Sequence, residues 1–153
     1  MISKGSILIV DDEAGSRESL RMILKSIYEV HTAENGQEAL NFISRNKVEL
    51  VTLDLNMPGL SGFDVLKEIK KLRPDIEVVI VTGYGTLKNA QEATHHGAAD
   101  FISKPFNVAD IIISVSKAFE RRSQNIKIKS LIQQVQGLRS SLGENPQMRV
   151  RTL

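Results

Sequence analysis

Two rhythms of apolar residues alternate along this chain. The first is a short continuous run. Residues 6–11 (SILIVD), 48–53 and 77–82 (EVVIVT) are apolar and rich in β-branched side chains, 100–103 is a very short copy, and 28–33 alternates weakly. Runs that are apolar on both faces read as central strands of a parallel sheet. The second rhythm has spacings of three and four. Residues 14–26 align Leu20, Ile23, Leu24 and Ile27, residues 36–45 align Ala39, Leu40 and Ile43, and residues 61–72 align Val65, Leu66, Ile69 and Leu72. Each pattern predicts an amphipathic helix. Asn35 three residues before Glu38, and Ser61 three before Asp64, have the spacing of capping boxes. A fourth helix is expected over 86–96, with a thin stripe of Leu87, Ala90 and Ala93 and with Gly97 as its stop. Its weak stripe predicts looser packing than that of the others.

Strand and helix thus alternate five times. Such alternation gives a mainly parallel sheet covered by helices on both faces. In that architecture ligands bind beyond the carboxyl ends of the strands, where the strand order reverses.

Length and composition narrow the chemistry. A chain of 153 residues suits one domain with an appendage and needs no cross-link to fold. It has no cysteine, which removes thiolate metal sites, cysteine nucleophiles and disulfide chemistry. No apolar run reaches membrane-span length, and acidic residues arrive too early for a secretory signal, so a cytoplasmic protein without membrane contact is expected. The net charge of +2 is unevenly divided. Residues 1–106 carry 12 Lys and Arg against 15 Asp and Glu, whereas residues 107–153 carry 8 against 3. The basic tail lacks interleaved aromatics and any DNA-reading motif, so it reads as a solvated helix rather than a nucleic-acid contact.

The expected strand ends collect the candidate chemistry. Asp11, Asp12 and Glu13 end the first strand, Asp54 the third and Thr82 the fourth, and Lys104-Pro105 follows the fifth. Taken singly, the first acids are helix caps, Asp54 is a turn former before Pro58-Gly59, and Lys104 is a solvated lysine. On one sheet edge they become a cluster of like charges that requires a cation. Hard oxygen ligands favour Mg²⁺. With a free aspartate as nucleophile, a lysine and a hydroxyl, the set suits phosphoryl transfer to a carboxylate.

These residues occur in four motifs: ILIVDDE at 7–13, LDLNMPG at 53–59, VTGYG at 81–85 and GAADFISKPF at 97–106. Together they resemble the receiver domain of bacterial two-component response regulators over about residues 5–120. The resemblance implies a flavodoxin-like doubly wound five-stranded parallel sheet of order 2-1-3-4-5, with an extended C-terminal helix here. It implies that Asp54 is the phosphoacceptor, charged by a sensor histidine kinase or phosphotransfer protein. Mg²⁺ would be held by Asp11, Asp12, Asp54 and the backbone carbonyl of Asn56, with Asp12 the more direct ligand and Asp11 often acting through water. Thr82 and Lys104 would contact the phosphoryl oxygens. Phe101 would turn inward as Thr82 moves, remodelling helix 86–96, and the peptide bond before Pro105 would be cis. The protein would be a switch that assists its own phosphorylation and dephosphorylation rather than an enzyme acting on a separate substrate. Asn56 and Tyr84, which border the path of hydrolytic water, would tune the lifetime of the phosphorylated state. His31, His95 and His96 are assigned no role.

Three rival classes fit less well. An aspartyl-phosphate hydrolase usually has a second acid two residues after the nucleophile, where this chain has Asn56, and a cap domain for which there is no room. A nucleotide-binding protein of this topology would have a glycine-rich loop after the first strand. An interaction module with a dead acceptor would not keep the acidic cluster, Thr82 and Lys104.

Beyond residue 120 the fifth helix is expected to run on. Ile111, Ile112, Val115, Ala118 and Phe119 suit packing on the sheet, and residues 120–125 are polar. Then Ile128, Leu131, Val135, Leu138 and Leu142 recur at 3, 4, 3, 4, an a/d seam two heptads long that does not extend back into 1–120. The expected division is 1–120 as the receiver, 121–143 as a helical linker able to form a homodimer, and 144–153 as a tail. Residues 142–148, LGENPQM, resemble the entry to the ATPase domain of NtrC-class, sigma-factor-dependent activators, so this chain would be either the receiver end of such an activator or a stand-alone receiver with a degenerate tail.

Overall fold

The computed structural model describes residues 4–143. The elements run β1 (Ser6–Val10), α1 (Ala14–Leu24), β2 (Glu29–Ala33), α2 (Gly36–Arg45), β3 (Leu50–Leu53), α3 (Gly62–Leu72), β4 (Glu77–Thr82), α4 (Leu87–His95), β5 (Asp100–Ser103) and α5 (Val108–Ser141). All strand pairs are parallel, and the sheet order is β2-β1-β3-β4-β5. The expected flavodoxin-like order is therefore present. The chain divides into two compact units, Met1–Glu120 and Arg121–Leu153.

The strands are apolar throughout because each serves two cores. Alternate residues point to opposite faces of a sheet. Leu8, Val10, Val51, Leu53, Val78 and Ile80 meet Ala39 and Ile43 of α2, Val65, Leu66 and Ile69 of α3, and Ala93 of α4. On the opposite face Ile7, Ile9, Leu50, Val79 and Val81 meet Leu20 and Leu24 of α1 and Ile111, Val115 and Ala118 of α5. Phe119 is held at the end of this layer. Its ring stacks on Tyr28 with centroids 4.9 Å apart, and a side chain at Gly5 would collide with it.

Both anticipated caps form. The Asn35 side chain accepts from the N–H of Glu38 at 2.9 Å, and the Ser61 hydroxyl accepts from the N–H of Asp64 at 3.2 Å. Gly97 ends the α4 segment with φ of +93°, a backbone state that costs glycine little.

Some expected stripe positions are exposed instead. Ile27 lies beyond the end of α1, where the N–H of Lys25 bonds the carbonyl of Arg21 and the chain turns toward β2. Leu72 closes α3 and is exposed. Leu87, the first residue of α4, is 76% exposed, which leaves Ala93 as the one fully buried residue of that helix. Val48 is buried but precedes β3, and Tyr28 precedes β2. The polar residues 120–125 are helical within α5. Leu142 falls just after its end, and 144–153, with most of the LGENPQM stretch, lie outside the described residues.

Candidate functional site

β1 and β3 are neighbours, yet their connections leave toward opposite sides, β1 being flanked by β2 as well. The reversal opens a crevice at their carboxyl ends. Asp11 follows β1 and Asp54 follows β3, and both carboxylates are almost wholly buried. Asp12 beside them is exposed. Asp11, Asp12 and Asp54 can each present an oxygen within 4.8 Å of the others.

One cation neutralises the buried pair. Lys104 Nζ lies 2.7 Å from Asp11 Oδ2, 3.1 Å from Asp54 Oδ2 and 3.3 Å from Glu13 Oε1. Burial favours the neutral amine, but hydrogen bonds to Asp11 and Asp54, with the charges of both, outweigh it and hold the lysine above its ordinary pKa. Burial pushes the Asp11 carboxyl above its ordinary range, while the bond from Lys104 pulls it the other way. The lysine is therefore charged at neutral pH. Lys104 reaches the pocket from the turn after β5, where its peptide bond to Pro105 is cis.

The other oxygen of Asp54 is also engaged. Thr82 Oγ1 donates to Asp54 Oδ1 at 2.7 Å, and the N–H of Asn56 donates to the same oxygen at 3.1 Å. The threonine hydroxyl in turn accepts from the N–H of Tyr84 at 3.3 Å, and the carbonyl of Tyr84 accepts from Asn89 Nδ2 at 2.9 Å. Asp54 is thus linked through Thr82 and the Tyr84 backbone to the first turn of α4. Phe101 on β5 is half-buried against the core on the α2–α4 side. The Tyr84 ring and the Asn56 side chain are exposed.

The donor set fits Mg²⁺. Two buried carboxylates, one exposed carboxylate and nearby backbone carbonyls are hard oxygen ligands, and the exposed Asp12 leaves a side open to the waters that Mg²⁺ retains. Three residues emerge that the sequence did not single out. Gly62 lets α3 start directly against the backbone of Asp54 and Leu55, which a Cβ would strike. Asn89 supplies the link into α4. Arg17 on α1 donates from Nη1 to the carbonyl of Asp11 at 2.9 Å. The cap spacing of Thr86 to Asn89, realised at 3.1 Å, concerns the Asn89 backbone, and no spacing in the sequence announces the side-chain contacts of Asn89 or Arg17.

A family profile for the response regulator receiver domain matches residues 7–116. The chain belongs to that family. Among curated relatives, the receiver is 37% identical over 118 residues to the sporulation initiation phosphotransferase F of Bacillus subtilis, which covers 76% of this chain and 95% of that protein. It is 36% identical over 116 residues to the transcriptional regulatory protein GlrR of Escherichia coli, but that match takes in 75% of this chain and 26% of the regulator. The chain therefore spans about a quarter of such multidomain relatives. Of solved structures, the CheY-like receiver from Methanospirillum hungatei superposes with a TM-score of 0.77 at 31% identity, covering 80% of this chain and 99% of that one. NtrX from Brucella abortus gives 0.80 at 34% identity, covering 85% and 30%. Relatives of the NtrX-like and GlrR kind support the NtrC-class resemblance of the receiver. Receiver domains are phosphoacceptors in two-component signalling rather than enzymes of the usual kind. Among the described residues no helix is long and apolar enough to cross a membrane.

Proposed function

We propose that Asp54 accepts a phosphoryl group from the phosphohistidine of a sensor histidine kinase or phosphotransfer protein. A carboxylate oxygen of Asp54 attacks phosphorus. The P–N bond breaks, the imidazole nitrogen keeps its electron pair, and an acyl phosphate forms on Asp54. The observation that carries this reading is the convergence of Lys104 Nζ and Thr82 Oγ1 on the two oxygens of the same buried carboxylate. Lys104 follows the developing negative charge onto the phosphoryl oxygens, and Thr82 turns its hydroxyl from Asp54 to one of them. Asp11, Asp12, Asp54 and the carbonyl of Asn56 would hold Mg²⁺. When bound, Mg²⁺ neutralises the carboxylates and the transferring oxygens.

The switch is an equilibrium between two arrangements of β4, α4 and β5. Movement of Thr82 draws on the Tyr84 backbone and so on Asn89 in α4, the helix with the fewest buried side chains. Phe101 turns further inward as it does so. Asn56 and Tyr84 set the lifetime by their position beside the water path, and the same site assists hydrolysis of its own acyl phosphate. Readout passes through the α4 surface and through the seam of residues 128–142, where two copies pair. As the receiver end of a larger activator, the chain would pass this change to an output domain.

Incubation with Mg²⁺ and acetyl phosphate tests the proposal, with intact mass and sedimentation read on wild type and Asp54→Asn. Wild type should gain one acid-stable, base-labile phosphate, and the variant none. A wild-type protein that gains no phosphate overturns the reading. Sustained Mg²⁺-dependent turnover of many substrate equivalents would favour the hydrolase instead.

A further inference from the structure

The exposed acid of the cluster poses a problem of positioning. Asp11 and Asp54 are fixed by burial and by Lys104. Asp12 is exposed, and among the described residues its side chain has no hydrogen bond or ion pair. Its place beside the other two carboxylates must therefore come from its backbone. Two hydrogen bonds hold that backbone: the N–H of Glu13 donates to Asp11 Oδ1 at 2.9 Å across Asp12, and the carbonyl of the peptide joining Asp11 to Asp12 accepts from Arg17 Nη1 at 2.9 Å. Arg17 is itself tethered. Its side chain is 17% exposed, its Nη2 lies 3.5 Å from Glu34 Oε1, and its backbone N–H closes the first turn of α1 on the carbonyl of Glu13 at 3.0 Å.

We infer that Arg17 is a positioning residue for the divalent cation: it orients the Asp11–Asp12 peptide and thereby holds the Asp12 carboxylate toward Asp54. The inference rests on the proposed reading of the acidic cluster as a Mg²⁺ site. Residues one step removed from a metal orient its ligands, and their loss typically weakens binding by about 10–100-fold. The sign separates this role from a bulk charge effect. Arg17 is a cation close to a cation site, so removing it would tighten Mg²⁺ binding if charge alone mattered. Loss of positioning weakens it.

Mg²⁺ affinity, measured by calorimetry on the full chain without any phosphodonor, reads this directly for wild type, Arg17→Ala and Arg17→Met. The expected result is binding about tenfold weaker in both variants. The Mg²⁺ concentration for half-maximal phosphorylation by acetyl phosphate should rise in parallel, with the rate at saturating Mg²⁺ nearly unchanged. Wild-type or tighter Mg²⁺ binding in a folded variant overturns the inference, as does a fall in the saturated rate with unchanged affinity. Arg17→Met keeps the apolar stem and serves if Arg17→Ala does not fold. Calorimetry needs no phosphate on Asp54, so a failed phosphoacceptor and a failed positioning role give different results.

Discussion

Thr82 Oγ1 sits 2.7 Å from Asp54 Oδ1, and the same hydroxyl accepts the N–H of Tyr84. One buried atom therefore joins the acceptor to the loop that leads into α4. Thr82→Val keeps the branched shape and removes only this junction. Asp54 should still be phosphorylated, slower by about 10- to 100-fold, the worth of one hydrogen bond to a charged group. Phosphorylation should no longer alter amide exchange in residues 87–95. Exchange that changes as in wild type would show that the signal leaves Asp54 by another route.

Lys104 is the cation shared by Asp11 and Asp54, and its side chain is only 14% exposed. Lys104→Met leaves two buried carboxylates facing each other. Breaking a buried pair from one side typically costs about 3–5 kcal/mol, and an open pocket mouth brings the expectation here down to about 2 kcal/mol. Mg²⁺ should restore part of the loss, because a ligand that binds only the folded state stabilises it. The check is a urea titration with and without Mg²⁺. Equal effects of Mg²⁺ on variant and wild type would show that Lys104 and the cation do not address the same charges.

Asp11 makes a prediction about pH. Burial raises its folded-state pKa above the ordinary value of 3.8, the bond from Lys104 opposing. A carboxyl with a raised folded pKa binds its proton more readily when folded. Its contribution to stability is therefore fully present below the unfolded value and is lost as pH rises through the folded value. In Mg²⁺-free buffer Asp11→Asn should raise the melting temperature at neutral pH, and the gain should shrink on acidification toward the unfolded pKa. A gain that persists unchanged at low pH would rule out this origin.

The elements that position the site were legible because each strand had to be apolar on both faces. Ile7 and Leu8 serve opposite cores, as do Val78 and Val79. That demand writes itself into the sequence as continuous apolar runs. Helix ends were legible where a side chain does the capping, as at Asn35 and Ser61. Ile27, Leu72 and Leu87 misled because they lie at or beyond helix ends, where the 3.6-residue period still runs but no neighbour covers the side chain. Asp11, Asp54, Thr82 and Lys104 stood out as strand-end polar residues next to apolar runs. Arg17 did not, because its contact is to a main-chain carbonyl, and which carbonyl a long side chain reaches depends on the turn between β1 and α1. Asn89 hid for the same reason.

Tyr84 presents an exposed ring on a backbone bonded at both ends near Asp54. The backbone bonds survive truncation of the side chain, so Tyr84→Ala isolates the ring. The acyl phosphate should decay faster in the variant if the ring shields it from water. Decay followed by loss of phosphate from intact protein decides the matter. Equal half-lives would leave the ring without a kinetic role.

The seam of residues 128–142 can be tested without unfolding the helix that carries it. Ile128, Leu131, Val135 and Leu138 are about half exposed, and the described residues 121–143 hold Arg121, Arg122, Lys127, Lys129 and Arg139 with no acid among them. An apolar stripe on a uniformly basic helix has two consequences for self-association. Pairing brings like charges together, so salt should strengthen the dimer by screening them. A single glutamate at Val135 should abolish it, because the charge would be buried in the seam. The same substitution stands four residues before Arg139, the spacing and polarity that favour an isolated helix. Val135→Glu therefore weakens the dimer while supporting the monomeric helix, and Gln133→Glu adds the same charge off the seam. Sedimentation of the phosphorylated and unphosphorylated forms should show dimer for wild type and Gln133→Glu, tighter at higher salt, and monomer for Val135→Glu. If Val135→Glu sediments like wild type, the stripe does not pair two copies of this chain.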